Sequence, residues 1–310
     1  MRKPLILVLA GFTVVAATLM PATAAWASSP YLYKSTVALG PVGNLPSVGG
    51  EAYAFNELGN QITLEHAGKL GHVVVTMSSW ACESGNWNKG NCVTSPGATA
   101  TVPITFSIYK AATGTPPVPG ALIAKITKQF AIPYRPSANN THCTGSNAGK
   151  WWGGSPKQCL NGKAANITFA FGGVSLPVNV VFGISYNTTH YGYSPIGESA
   201  PCFSTTQGCF YDSLNIALTQ DPTDVTAGSD PGPTGTIFQY SNVGGVYCDG
   251  GAAGVGLFRE DSPTNGCWSV SLPNNSSPYY IPAIQLAAKD GSADGGGDGG
   301  GDGDGGSSGG

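Results

Sequence analysis

The chain has 310 residues, of which 46 are glycine and 23 proline, and only 10% are charged. With no charged helix-forming runs, that composition excludes a helical bundle, a coiled coil and a basic nucleic-acid binder, and it fits an exported β-rich protein with long polar loops. Five acids (Asp290, Asp294, Asp298, Asp302 and Asp304) sit in the last 21 residues, whereas residues 28–289 hold twelve acids and twelve bases, so the body is formally neutral. A neutral body has no net electrostatic footprint for DNA, RNA or an anionic lipid surface.

In chain order, Arg2 and Lys3 precede an apolar run from Leu5 to Leu19, and Ala25-Trp26-Ala27 supplies a small-x-small cleavage signature. These are the three parts of a secretory signal, which places the mature start near Ser28. The apolar run is short of the roughly 20 residues that span a bilayer, and no later segment is longer. The expectation is a secreted, extracellular protein with no membrane span.

The body reads as short strands between turn-rich loops. Apolar alternation marks Gln61–Leu64, His72–Met77, Val102–Tyr109 and Leu122–Phe130. Further strands are predicted at Ile167–Phe171, Asn179–Tyr186, Ser213–Leu218, Thr236–Tyr240, Trp268–Leu272 and Ala283–Ala287, all rich in β-branched and aromatic residues and bounded by Gly, Pro, Asn or Ser. No window keeps a helical period with caps. The prediction is one all-β domain over residues 28–289. Its architecture is a two-sheet antiparallel β-sandwich, jelly-roll-like, with disulfide-stapled loops around one core. From Asp290 onward the chain is Gly, Asp and Ser with one Ala. It has nothing to bury, which predicts a disordered acidic tail over residues 290–310.

Eight cysteines fall into four sequential couples: Cys82 and Cys92, Cys143 and Cys159, Cys202 and Cys209, Cys248 and Cys267. Eight cysteines allow 105 connectivities, and pairing within each couple is the simplest. Each such bridge would close a short Gly-, Asn- and Ser-rich loop and stabilise it by about 2–4 kcal/mol. No C-x-x-C spacing occurs, so structural disulfides are expected rather than a zinc site.

The succession Thr105-Phe106-Ser107-Ile108-Tyr109, a Gly/Pro loop and Pro119-Gly120-Ala121-Leu122-Ile123-Ala124 resembles the secreted bacterial sandwich domains of the "choice-of-anchor" type. Asn179–Tyr186 and Tyr211-Asp212-Ser213-Leu214-Asn215 fit the same plan. The resemblance spans about residues 35–288. It implies a secreted β-sandwich of unassigned activity and brings no catalytic residues.

Tests for chemistry mostly fail. The G-x-S-x-G match Gly305–Gly309 and the G-x-G-x-x-G match Gly295–Gly300 both lie in the Gly-rich tail, without the strand and helix such motifs need. A glycosidase needs two carboxyl groups across one bond. The body offers Glu51, Glu57, Glu65, Glu83, Glu198 and Glu260 without a pairing motif, and they read as loop and edge-strand charge. His66, His72, His142 and His190 lack metal-protease spacing. No cofactor is implied. The loop acids Asp221, Asp224 and Asp230 could hold a structural calcium, against the simpler reading of a polar turn. Trp87, Trp151 and Trp152, each between paired cysteines, are the binding candidates, because flat indole faces stack on sugar rings. The competing reading folds them inward as small cores. N-x-S/T sequons occur at Asn139, Asn166, Asn187, Asn274 and Asn275. Catalytic residues are not identifiable. The expectation is a non-catalytic surface or matrix binding module, with an extracellular glycan or cell-surface component as partner. A polysaccharide-acting hydrolase and a purely structural protein are the alternatives.

Overall fold

The computed structural model describes residues 30–36, 46–49, 55–85, 87–114, 118–154, 157–186, 214–219, 222–231, 237–241, 258–261 and 281–289. The expected signal, the tail, the predicted strand Trp268–Leu272, Asp221 and the cysteines Cys202, Cys209, Cys248 and Cys267 lie outside them.

Fifteen strands and three short 3₁₀ turns, with no α-helix, make up the elements of the described residues. The strands begin with β1 (Tyr31–Lys34), β2 (Ser47–Gly49), β3 (Phe55–Thr63), β4 (Gly68–Ser79) and β5 (Thr99–Lys110). Next come β6 (Leu122–Pro133), β7 (Trp151–Gly154), β8 (Lys157–Leu160), β9 (Lys163–Leu176) and β10 (Asn179–Ser185). The last five are β11 (Leu214–Thr219), β12 (Ile237–Ser241), β13 (Phe258–Asp261), β14 (Ile281–Pro282) and β15 (Ile284–Ala288). A seven-stranded sheet runs β1-β15-β4-β11-β14, with β9 also paired to β4 and β2 to β11. A six-stranded sheet runs β13-β12-β3-β10-β5-β6, and β7 with β8 forms a separate hairpin. All named pairings are antiparallel. The two large sheets pack face to face as the expected β-sandwich.

The period-2 pattern accounts for the core. In β5, Val102, Ile104, Phe106 and Ile108 are buried, while on the other face Thr101, Pro103, Thr105 and Tyr109 are exposed or half-exposed and Ser107 is buried. In β9, Ile167, Phe169 and Phe171 point inward from the other sheet. Five phenylalanines join the layers. The Phe106 ring is stacked on Phe182 at 5.8 Å and lies 5.8 Å from Phe169 and 6.1 Å from Phe171, and Phe130 meets Phe169 at 4.9 Å.

The observed strands run past the predicted ones. β4 continues past the predicted Met77 through Ser78-Ser79, and β9 begins at Lys163, before the predicted Ile167; Thr76–Ser79 pair in register with Lys163–Asn166. Polar residues such as Ser78 and Ser79 are buried there, so backbone pairing carries the strand beyond the apolar pattern. β1, β2, β7, β8, β13 and β14 were not expected from the sequence, being only two to four residues long.

Two connections leave the sandwich side by side. Residues 80–98 join β4 to β5, and residues 134–162, including the β7–β8 hairpin, join β6 to β9. They carry the disulfides Cys82–Cys92 and Cys143–Cys159, and no cysteine among the described residues is free. Both follow the expected local pairing.

Candidate functional site

The two stapled connections are tied to each other by their main chains. Arg135 N–H donates to Ala81 O at 2.8 Å, Ala138 N–H to Cys92 O at 3.0 Å and Tyr134 N–H to Ala98 O at 3.1 Å. Ser137 adds a side-chain clasp, its hydroxyl accepting from Thr94 N–H at 2.9 Å and donating to Thr94 O at 3.2 Å. Where the loops meet, Gly90 (φ +66) and Gly149 (φ +81) approach so closely that a Cβ at Gly149 would stand 2.5 Å from Gly90 Cα. Both positions require glycine, for positive φ and for clearance.

Beneath them lies Arg135, 2% exposed. One guanidinium N–H₂ group donates to Gly149 O at 2.8 Å, while its Nε has no partner among the described residues. Burial pulls its pKa down to about 10. Even so, the side chain stays cationic at neutral pH and holds the 145–149 turn against the β6 exit. The sequence gives no sign of this anchor, since arginine is among the residues most often found at the surface.

Between the loops opens a cleft of about 600 Å³. One wall is Thr94–Ala98 and the other Pro133–Asn139, with Trp152 and Lys163 completing the lining. Apolar surface comes from Trp152, Tyr134 and prolines, and hydrogen-bonding groups from Thr94, Ser137 and Asn139. This mixture of flat rings with a few polar groups in a concave surface is the usual chemistry of a small-ligand site.

The three candidate tryptophans separate. Trp152 lies on the cleft, half-buried, with His142 stacked against it at 4.8 Å and 16° between planes. Its cross-strand partner in the hairpin is Cys159, which is bridged to Cys143 beside His142. The disulfide therefore holds both the ring and its stacking partner. Trp151, one residue earlier on the same strand, anchors the hairpin instead: its Nε1–H donates to Gly162 O at 2.8 Å, and Lys163 Nζ lies 5.6 Å from its ring centroid. Trp87, 38% exposed, meets Trp80 edge-on at 4.9 Å and does not line the cleft. Tyr134, Asn139 and Lys163 also line the cleft, and none of them lies among the tryptophans inside cysteine couples that mark it in the sequence. The Pro133-Tyr134-Arg135-Pro136 run was the available signal for the first of them.

Among the described residues, the carboxylates form no second centre with the cleft. Glu57 lies on the outer face of the six-stranded sheet, 9% exposed, where Tyr109 O–H donates to it at 3.0 Å. Gly183, its neighbour on β10, leaves the space its carboxyl occupies. Burial raises the Glu57 pKa, opposed by hydrogen bonds from Tyr109 and Ser107 and by the charge of Lys125. Glu83 accepts from Ser95 N–H at 2.6 Å, and this bond holds its carboxyl below the usual range. Of the calcium candidates, Asp224 accepts from Thr219 and Asp230 from Asn60. Among the described residues no three His, Cys, Asp or Glu side chains are grouped to hold a metal ion. No helix among them is long and apolar enough to cross a membrane.

Comparison of the chain with protein-family models, with curated proteins and with solved structures finds no match.

Proposed function

We propose that the protein is an extracellular, non-catalytic binding module that holds a carbohydrate in the cleft between its two stapled loops. The observation that carries this reading is Trp152. Its ring is braced on one side by His142, lines an open concavity with Tyr134, and shares that lining with the polar residues Thr94, Ser137 and Asn139, whose side chains are held in place by hydrogen bonds within the loops. A pre-braced flat ring loses little entropy on binding, and sugar rings present both an apolar face and hydroxyls. The two disulfides are compatible with life outside the cell.

A hydrolase needs a second carboxyl facing Glu57 across a bond. Among the described residues the charged group that acts on Glu57 is Lys125, and this favours the binding reading.

The test is affinity electrophoresis through a panel of soluble polysaccharides. Trp152→Ala should weaken binding at least tenfold, equivalent to about 1.4 kcal/mol, whereas Trp152→Tyr should keep most of it and Trp87→Ala all of it. Undiminished binding by a folded Trp152→Ala protein overturns the assignment. So does a loss that Trp87→Ala reproduces.

A further inference from the structure

The formally neutral body conceals a sharp segregation of charge. From Ser84 to Gly197 the sequence contains no Asp or Glu, yet it contains eight bases: Lys89, Lys110, Lys125, Lys128, Arg135, Lys150, Lys157 and Lys163. This acid-free run includes β5 to β10 and nearly all of both stapled connections. Its compensating acids lie on other parts of the chain.

Part of that charge lies on the cleft and on the two loops that form it. Lys163 is the one charged residue among the described residues of its lining. Lys89 and Lys157 are exposed and Lys150 half-exposed on the same two loops, and Lys150 is steered by a 2.9 Å hydrogen bond to Asn147 Oδ1. Against them stands Glu83, which stays ionised beside the cleft with its carboxylate accepting from Ser95 N–H. A charge-rich loop end on a neutral molecule acts at short range, within about a Debye length of 8–10 Å.

We infer that the cleft takes an anionic polysaccharide, with a sugar ring on Trp152 and its acidic group at Lys163, the flanking chain passing over Lys89, Lys150 and Lys157. This rests on the carbohydrate reading of the cleft and specifies its ligand class. The exposed bases of the run are all lysines, and its one arginine, Arg135, is buried. Lysine acts as a point charge, whereas the planar forks that grip phosphate in nucleic acids come from exposed arginine.

The test compares polygalacturonate with its fully methyl-esterified form, which has the same backbone without the charge, using the full chain. Sulfated galactan, a neutral glucan and single-stranded DNA serve as further arms. Polygalacturonate should bind at least tenfold more tightly than the ester at low salt, and the gap should close as salt rises. Lys163→Gln should remove most of the gap while leaving the melting temperature unchanged. Preference for sulfated galactan over polygalacturonate, with the same Lys163 dependence, keeps the anionic class and makes the acid a sulfate. Equal affinity for acid and ester, or retention of the neutral glucan alone, overturns the inference while the carbohydrate reading stands. Tighter binding of DNA than of every polysaccharide overturns the inference. Binding to none of the polysaccharides overturns both.

Discussion

Between the sheets, the Phe106 ring touches three other phenylalanine rings and is sealed from water. At the loop end, Trp152 rests on one histidine, on a hairpin of eight strand residues and on a disulfide. The first arrangement is ordered by apolar area, at about 25 cal/mol per Å² removed from water. The second has little such area to remove. It is ordered by covalent bridges, main-chain bonds between loops, paired glycines and a buried guanidinium. A loop that must keep its rings and polar groups open to a ligand cannot also bury them, so its order has to come from cross-links.

The largest expected effect lies in the first region. Phe106→Ala removes a ring shared by both sheets and should cost about 3–5 kcal/mol, read as a shift in the urea midpoint. A loss below about 1 kcal/mol would mean that the layers are not joined there. Replacing Cys143 and Cys159 by Ser together should cost less, about 2–4 kcal/mol, but should fall harder on function. Polysaccharide binding should drop at least tenfold while the far-UV spectrum stays β-like. Unchanged binding would show that packing alone positions Trp152, and the contrast between the regions would fail.

The smallest effect concerns Glu57, a polar group set into the sheet by burial instead of by cross-links. Burial raises its folded-state pKa above the unfolded value. Folding therefore favours the neutral carboxyl: the associated stability is complete below the ordinary carboxylate range and is lost as pH rises through the raised value. Glu57→Gln, which keeps an acceptor for Tyr109, should gain on the parent protein as pH is raised from about 4 to 7. Parallel melting curves across that interval would show that the carboxyl titrates as though in water.

The sandwich was legible in the sequence because its signal is local: Val102, Ile104, Phe106 and Ile108 alternate within one strand, and one face of that strand is dry. Strand ends were not legible where Ser78 and Ser79 are held by partners roughly 85 residues away in the register of β4 with β9. The two pairings of the stapled loops could be read from cysteine proximity. The cleft could be read only in part. Trp152 stood out by residue type, but the positions of Trp151 and Trp87 follow from packing that no pattern encodes. Tyr134 and Lys163 reach the cleft from opposite ends of the β7–β8 connection, and Arg135 is buried by a turn that comes after it in the chain.

The contact of Gly90 with Gly149 has a consequence for anyone wishing to move this cleft to another scaffold. The two loops belong to separate connections, yet their backbones interlock at a point where neither tolerates a side chain. Grafting one loop alone would leave a gap where its counterpart's peptide should lie, and diversifying either glycine in a display library would discard most clones before any ligand was tried. The transferable unit is therefore the pair, with its spacing set by the strands β4, β5, β6 and β9 that deliver the four chain ends.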